Sequence, residues 1–199
     1  ITKESAGKVT ILLIIVIIIT GGFIMFFGLL NIDKSDPEIV TLKSSIKMIG
    51  VSINTSMDTI FKDAAALGRK YKSIKDRNII KHKTSPWAFV AISKDFTNNG
   101  DNWEYLMGDV VDSFDGQPEE LTEFEIPAKT YAVFKISPRF SFLWGPTIGL
   151  TKKYIYTEWI LKSGYESDND VIGDFEYHDE RSLAKKPMIE LYVAIKKKI

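Results

Sequence analysis

Apolar residues recur along the chain with three different spacings. From Val9 to Ile32 the sequence reads VTILLIIVIIITGGFIMFFGLLNI, with 18 of 24 residues apolar and none charged. No polar stripe interrupts the run, which is the pattern of a helix apolar on every side. At ~1.5 Å per residue it spans about 36 Å, enough to cross a ~30 Å hydrocarbon core. The expectation is a transmembrane helix at 9–32 behind a short flank at 1–8. The rival is a cleavable signal peptide, whose apolar region is ~7–15 residues long and ends in small residues. Here Phe26, Phe27, Leu29 and Leu30 stand where small residues are needed, which favours an uncleaved anchor. Lys3 and Lys8 precede the run, and Lys34 follows among Asp33, Asp36 and Glu38. The positive-inside bias then predicts a single-pass membrane protein with its domain on the non-cytoplasmic side. Membrane lipid is the expected partner of this helix.

Beyond a polar linker at 33–38, the periods shorten. Thr41 to Ile53 alternates imperfectly, slipping one place at Met48-Ile49, and predicts a strand with a bulge at Gly50. Thr55 followed by Asp58 resembles a capping box, and Ile60, Phe61, Ala64, Leu67, Tyr71 and Ile74 recur at helical spacing. A helix is predicted over 56–73. Trp87 to Ile92 and Trp103 to Val111 flank the turn residues Asn98 to Asp101 and predict a hairpin. The second half repeats that order. Leu121 to Ile136 is strand-like with a break at Pro127. Pro146 opens a helix carried by Ile148, Tyr154, Ile155, Trp159 and Leu161, and Gly164 ends it. Phe175 to Tyr177 and Met188 to Ile195 complete a second hairpin. The predicted class is α+β: duplicated β-α-β-β units in one antiparallel sheet at 39–199, both helices on one face, and a pseudo-two-fold ligand cleft on the other.

Composition narrows the function. Lys+Arg and Asp+Glu both number 26, and there is no cysteine. Neutrality argues against recognition of nucleic acid by bulk charge, and the absence of thiols excludes a disulfide scaffold or a thiolate zinc site. His82 and His178 are the only histidines and have no metal-ligand spacing, so no metal is expected. No Gly-rich phosphate loop and no nucleophile motif is present, and no cofactor is expected.

Several segments of the second half resemble a known family. They are Lys129 to Phe134 (KTYAVF), Ile155 to Ile160 (IYTEWI), Ser163-Gly-Tyr165, Asp174 to Tyr177 (DFEY) and the closing Ile189 to Lys196 (IELYVAIK). In this order they resemble the GyrI-like (gyrase-inhibitor-like) small-molecule-binding domain, the effector-binding module of multidrug-responsive transcription regulators. The first half matches in architecture and length rather than in motif. The resemblance implies a pocket walled by aromatic rings with a carboxylate at its floor, binding bulky apolar and often cationic compounds. The family's pocket Glu falls in the strand that holds Glu176, and a pocket aromatic falls near Trp87. A desolvated carboxylate needs a positive partner, and ring faces add cation–π attraction of roughly 0.5–2 kcal/mol each. Directly ahead of this module in the sequence stands the apolar run, where those regulators carry a helix-turn-helix domain.

The candidate site is therefore Glu176 with Trp87 and Tyr177 as near walls, and Trp103, Tyr105, Trp144 and Tyr154 as further ring candidates. Read by alternation alone, Glu176 shares a face with Asp174 and His178, which is the pattern of a solvated strand face. The leading expectation is a membrane-anchored module that binds a small apolar or cationic organic compound. One alternative is a hydrolase: relatives in the resembling family open strained rings of cyclopropane-type toxins, and Glu176 would be the general base. The other is a protein-interaction module whose cleft is filled by its own side chains. Ligand identity and oligomeric state are left open by the sequence.

Overall fold

The computed structural model describes Leu30, residues 32–97 and residues 100–198. Nine strands form one antiparallel sheet: β1 (Glu38–Thr41), β2 (Ile46–Ser56), β3 (Phe89–Thr97), β4 (Asn102–Val110), β5 (Thr122–Ile126), β6 (Thr130–Ile136), β7 (Tyr165–Ser167), β8 (Ile172–His178) and β9 (Ile189–Lys197). Helix α1 (Ile60–Arg77) follows β2. Helix α2 (Trp144–Tyr154) follows β6 and continues through a π turn (Ile155–Trp159) into a last α turn (Ile160–Lys162).

The strand order is β1-β6-β9-β8-β3-β4-β2-β5, with β7 on β9. The order is symmetric about the β3–β8 pair: β2-α1-β3-β4 on one side answers β6-α2-β8-β9 on the other. The strands leading into each half are exchanged. β1 precedes β2 but pairs with β6, while β5 precedes β6 but pairs with β2. The α+β class and the single antiparallel sheet with two helices are as expected, although β7 is inserted between α2 and β8 in the second half.

Both helices cover the same sheet face, as the register shows. Val51, Met107, Ala91, Glu176, Leu191 and Phe134 lie directly opposite one another across six strands. Val51 and Ala91 belong to the core under α1, with Leu67, Tyr71 and Ile74. Leu191 and Phe134 belong to the core under α2, with Ile155, Trp159 and Ile160. Glu176 is the one polar member of that row.

The opposite face is not an open cleft, contrary to expectation. Met48, Val90, Ile92, Leu106, Tyr131 and Phe175 form a third buried cluster there, with Phe175 stacked on Tyr192 at 4.5 Å and edge-on to Tyr131 at 5.4 Å. Burial on both faces also explains the slipped alternation at Met48-Ile49: both residues are fully buried, on opposite sides. No bulge is needed. The β2–β4 register runs unbroken through Gly50, which pairs with Gly108. A Cβ at Gly50 would lie 2.0 Å from the Met107 carbonyl oxygen, and one at Gly108 would lie 2.2 Å from that of Ile49. Glycine is required at both positions because the two backbones touch.

The capping residue of α1 is Thr59 rather than Thr55, and the helix starts four residues later than predicted. Thr55 instead donates its hydroxyl to Asp63 at 2.9 Å, tying the end of β2 to the first turn of α1.

The membrane expectation is corrected. Among the described residues no helix is long and apolar enough to cross a membrane. A span needs about 20 apolar residues; α1, with 18, carries Lys62, Asp63, Arg69 and Lys70. The predicted transmembrane helix at 9–32 lies outside the described residues except for Leu30 and Ile32, and neither of those is helical. The transmembrane helix, the single-pass location and the lipid contact are not carried further.

Candidate functional site

Where the two halves meet, the helix-covered face carries charge. Three rows of cross-strand neighbours define it. Glu176 lies between Ala91 and Leu191, Asp174 between Ser93 and Val193, and His178 beside Phe89. A row further out continues from Phe89 to Asp109. Glu176 is 4% exposed and Asp174 2%. Two carboxylates buried this deeply require a cation.

Lys152 of α2 supplies it. Its Nζ stands 2.8 Å from Asp174 Oδ1 and 3.1 Å from Glu176 Oε1. One turn on, Tyr156 donates its hydroxyl to Asp174 Oδ2 at 3.1 Å. His178 Nε2 is 3.2 Å from Glu176 Oε2. The ring of His178 stacks on Phe89 with centroids 4.2 Å apart, and Trp144 lies 6.3 Å away on the other helix end. The π turn begins three residues after Lys152, with the Ile160 N–H reaching back to the Ile155 carbonyl. Such widened turns recur at functional sites.

The electrostatics follow from this packing. Burial pushes the Glu176 carboxyl up, but the Lys152 ammonium and the hydrogen bond from His178 outweigh it, and the group is held down at about 2. Burial pushes the Lys152 ammonium down, yet Asp174 and Glu176 reverse this and hold it above the ordinary lysine range. The Tyr105 hydroxyl is raised by burial and then by Glu176; that of Tyr156 is raised by burial and then by Asp174. Near neutral pH Glu176 is a carboxylate, Lys152 an ammonium, and Tyr105 and Tyr156 are neutral phenols.

A pH prediction arises here. The Glu176 carboxyl titrates lower in the folded chain than the ordinary 4.5, so its stabilisation is fully present above about pH 4.5 and is lost as pH falls toward 2. That displacement corresponds to about 3 kcal/mol. Urea unfolding at a series of pH values between about 6 and 2.5 should show the wild type losing stability. Glu176→Gln should lose about 3 kcal/mol less over the same range.

The sequence candidates are divided by the fold. Glu176, Tyr105 and Trp144 come together on the helix side of the β3–β8 seam. Tyr177 pairs with Val90 and points to the opposite face, beside the third apolar cluster. Trp87 is 57% exposed ahead of β3. Trp103 is buried, stacks on Phe96 at 6.0 Å, and borders an outer groove with Thr55, Asp95 and Glu104. Tyr154 packs beside the α2 core, with the Lys34 ammonium 4.7 Å over its ring. Lys152, Asp174, His178 and Tyr156 join the cluster without having been sequence candidates. A separate cavity of about 380 Å³ opens at the β1–β6 edge among Asp33, Asp36, Val133, Glu190 and Tyr192.

Two β-α-β-β halves in one antiparallel sheet, with charge sequestered between their helices, make a small-molecule-binding module of the effector-binding class. Residues 38–195 match the family model described as Cass2, integron-associated effector binding protein, and the chain belongs to that family. No curated protein matches it. Among solved structures, an integron cassette protein from the mobile metagenome of Vibrio cholerae is 11% identical, with a TM-score of 0.55 over 81% of this chain and 97% of that one. SAV2435 bound to tetraphenylphosphonium is 12% identical, with a TM-score of 0.62 over 81% and 94%. EcmrR in a complex with DNA is 15% identical, with a TM-score of 0.54 over 81% of this chain and 57% of EcmrR. At these identities the likeness is one of fold.

Proposed function

We propose that this domain binds a small apolar organic cation between its two helices, with Glu176 as counter-charge. The observation that carries the reading is the charge count of the buried cluster. Asp174 and Glu176 are met by one lysine ammonium, so the buried carboxylates outnumber the lysines that face them. Trp144, Tyr105 and the Phe89–His178 stack supply ring faces around them. The tetraphenylphosphonium bound by the similarly folded SAV2435 is a ligand of this chemistry. Trp87 and Tyr177 are left out of the proposed site because of their exposure and direction.

The hydrolase alternative is disfavoured by the carboxyl itself. A general base works best with a pKa near the operating pH, and Glu176 is held at about 2. The interaction-module alternative is favoured by one observation: Lys152 occupies the place a ligand cation would take.

Calorimetric titration of tetraphenylphosphonium into wild type and Glu176→Gln separates these readings. The expected result is binding by the wild type and affinity weaker by about tenfold or more in the variant, since a charge pair about 6 Å apart at an effective dielectric of about 20 is worth roughly 3 kcal/mol. Equal affinity in the two proteins, or no binding by the wild type, would contradict the proposal.

A further inference from the structure

Resting on that reading, we propose that Lys152 decides which ligands the site admits. Its ammonium holds the place of the ligand's positive charge, and a guest enters by exchanging with it. The guest class is an organic monocation with flat apolar flanks; neutral aromatics and anions are refused.

The asymmetry of burial supports an exchange. The side chains of Asp174 and Glu176 are 3% and 6% exposed and fixed on a central strand, whereas that of Lys152 is 22% exposed and reaches in from α2. A lysine has four rotatable carbons, so its head can swing to solvent while its stem stays on the helix. The carboxylates have no such route.

Each carboxylate also retains a partner when Lys152 leaves. Asp174 keeps the Tyr156 hydroxyl at 3.1 Å, and Glu176 keeps His178 at 3.2 Å. What neither keeps is the positive charge of the ammonium. A monocation restores that charge and leaves the total of the cluster unchanged. A neutral guest would leave two desolvated carboxylates facing each other without a cation, which the low dielectric of the site penalises heavily. The refusal of neutral compounds thus follows from the exchange, not from shape. The departing head leaves Glu176 beside His178, whose ring stacks on Phe89 at 4.2 Å with Trp144 6.3 Å away, and such ring faces favour a cation. The neighbouring Lys153 is exposed and serves as a control.

The test uses the full chain and tetraphenylphosphonium. Three proteins are titrated: wild type, Lys153→Met, and the double variant Lys152→Met with Asp174→Asn. The double variant keeps the net charge of the cluster while uncapping Glu176. Its affinity should exceed that of the wild type by about tenfold or more, the reciprocal of the fraction of wild-type molecules with Lys152 turned out. Lys153→Met should bind like wild type. A second arm needs no variant: acylation of Lys152 by an N-hydroxysuccinimide ester, followed by mass spectrometry, should accelerate when the wild type is saturated with the cation. Equal or weaker binding by the folded double variant, or unchanged acylation at saturation, overturns the exchange while leaving the parent reading standing. Failure of every protein to bind the cation overturns both.

Discussion

Lys152→Met is expected to destabilise the domain by about 3–5 kcal/mol at neutral pH, the range for removing one partner of a buried ion pair. The substitution keeps most of the side-chain volume and removes the ammonium that faces Asp174 and Glu176 at 2.8 and 3.1 Å. Without it, burial is no longer outweighed, and the two carboxyls must take up protons to remain inside. Their folded-state pKa values then lie above the ordinary range, so the variant gains stability relative to wild type as pH falls through those values. The wild type behaves in the opposite way, losing the Glu176 contribution as pH falls from 4.5 toward about 2. Urea unfolding from neutral pH down to about pH 2.5 should therefore show the variant gaining stability above about pH 4.5 and the wild type losing it below, so that the two curves converge in acid. Parallel curves would mean that Lys152 does not neutralise the pair.

Gly108→Val and Gly50→Val are expected to be at least as damaging, costing about 3 kcal/mol or more. The clash is with backbone on both sides. A Cβ on Gly108 meets the Ile49 carbonyl oxygen at 2.2 Å, and one on Gly50 meets the Met107 carbonyl oxygen at 2.0 Å. No side-chain rotation relieves either contact, so β2 and β4 must part over several paired residues. Gly149 in α2 is the internal comparison: nothing lies within 4 Å of a Cβ built there. Gly149→Ala should be neutral or stabilising by up to about 1 kcal/mol, since glycine is costly inside a helix. Thermal unfolding of the three variants would show the contrast; similar midpoints for Gly108→Val and Gly149→Ala would rule out the close approach.

Local signals located the second piece well and its site less so. The hairpins, both helices and the repeated order were legible because apolar spacing and turn residues coincide there. The double burial at Met48-Ile49 read as a slip, since alternation assumes one wet face and this sheet is covered on both. The same assumption misjudged the DFEYH segment: Asp174, Glu176 and His178 do share a face, but it is covered by helices. Lys152 is the residue that makes their burial tolerable. It sits beside Lys153 in the same helix, 22 and 24 residues from its partners, and nothing local distinguishes the two lysines. The spacing of Lys152 to Tyr156 places both on one helix side, which is the only sequence trace of the contact. Trp87 and Tyr177 lie apart from Glu176 for another reason. Aromatic character was visible, but direction depends on register, and the residue next to Glu176 in a strand faces away from it.

The measurement that bears most directly on the proposed site is the position of a bound cation. Tetraphenylarsonium has the shape and charge of tetraphenylphosphonium, and its arsenic gives an anomalous X-ray signal. In crystals of the domain grown with it, the expected arsenic peak lies between α1 and α2, with the phenyl rings around it in van der Waals contact with Glu176 and the Lys152 side chain turned to solvent. A peak confined to the outer cavity among Asp33, Glu190 and Tyr192, with Lys152 still on Asp174 and Glu176, would contradict it.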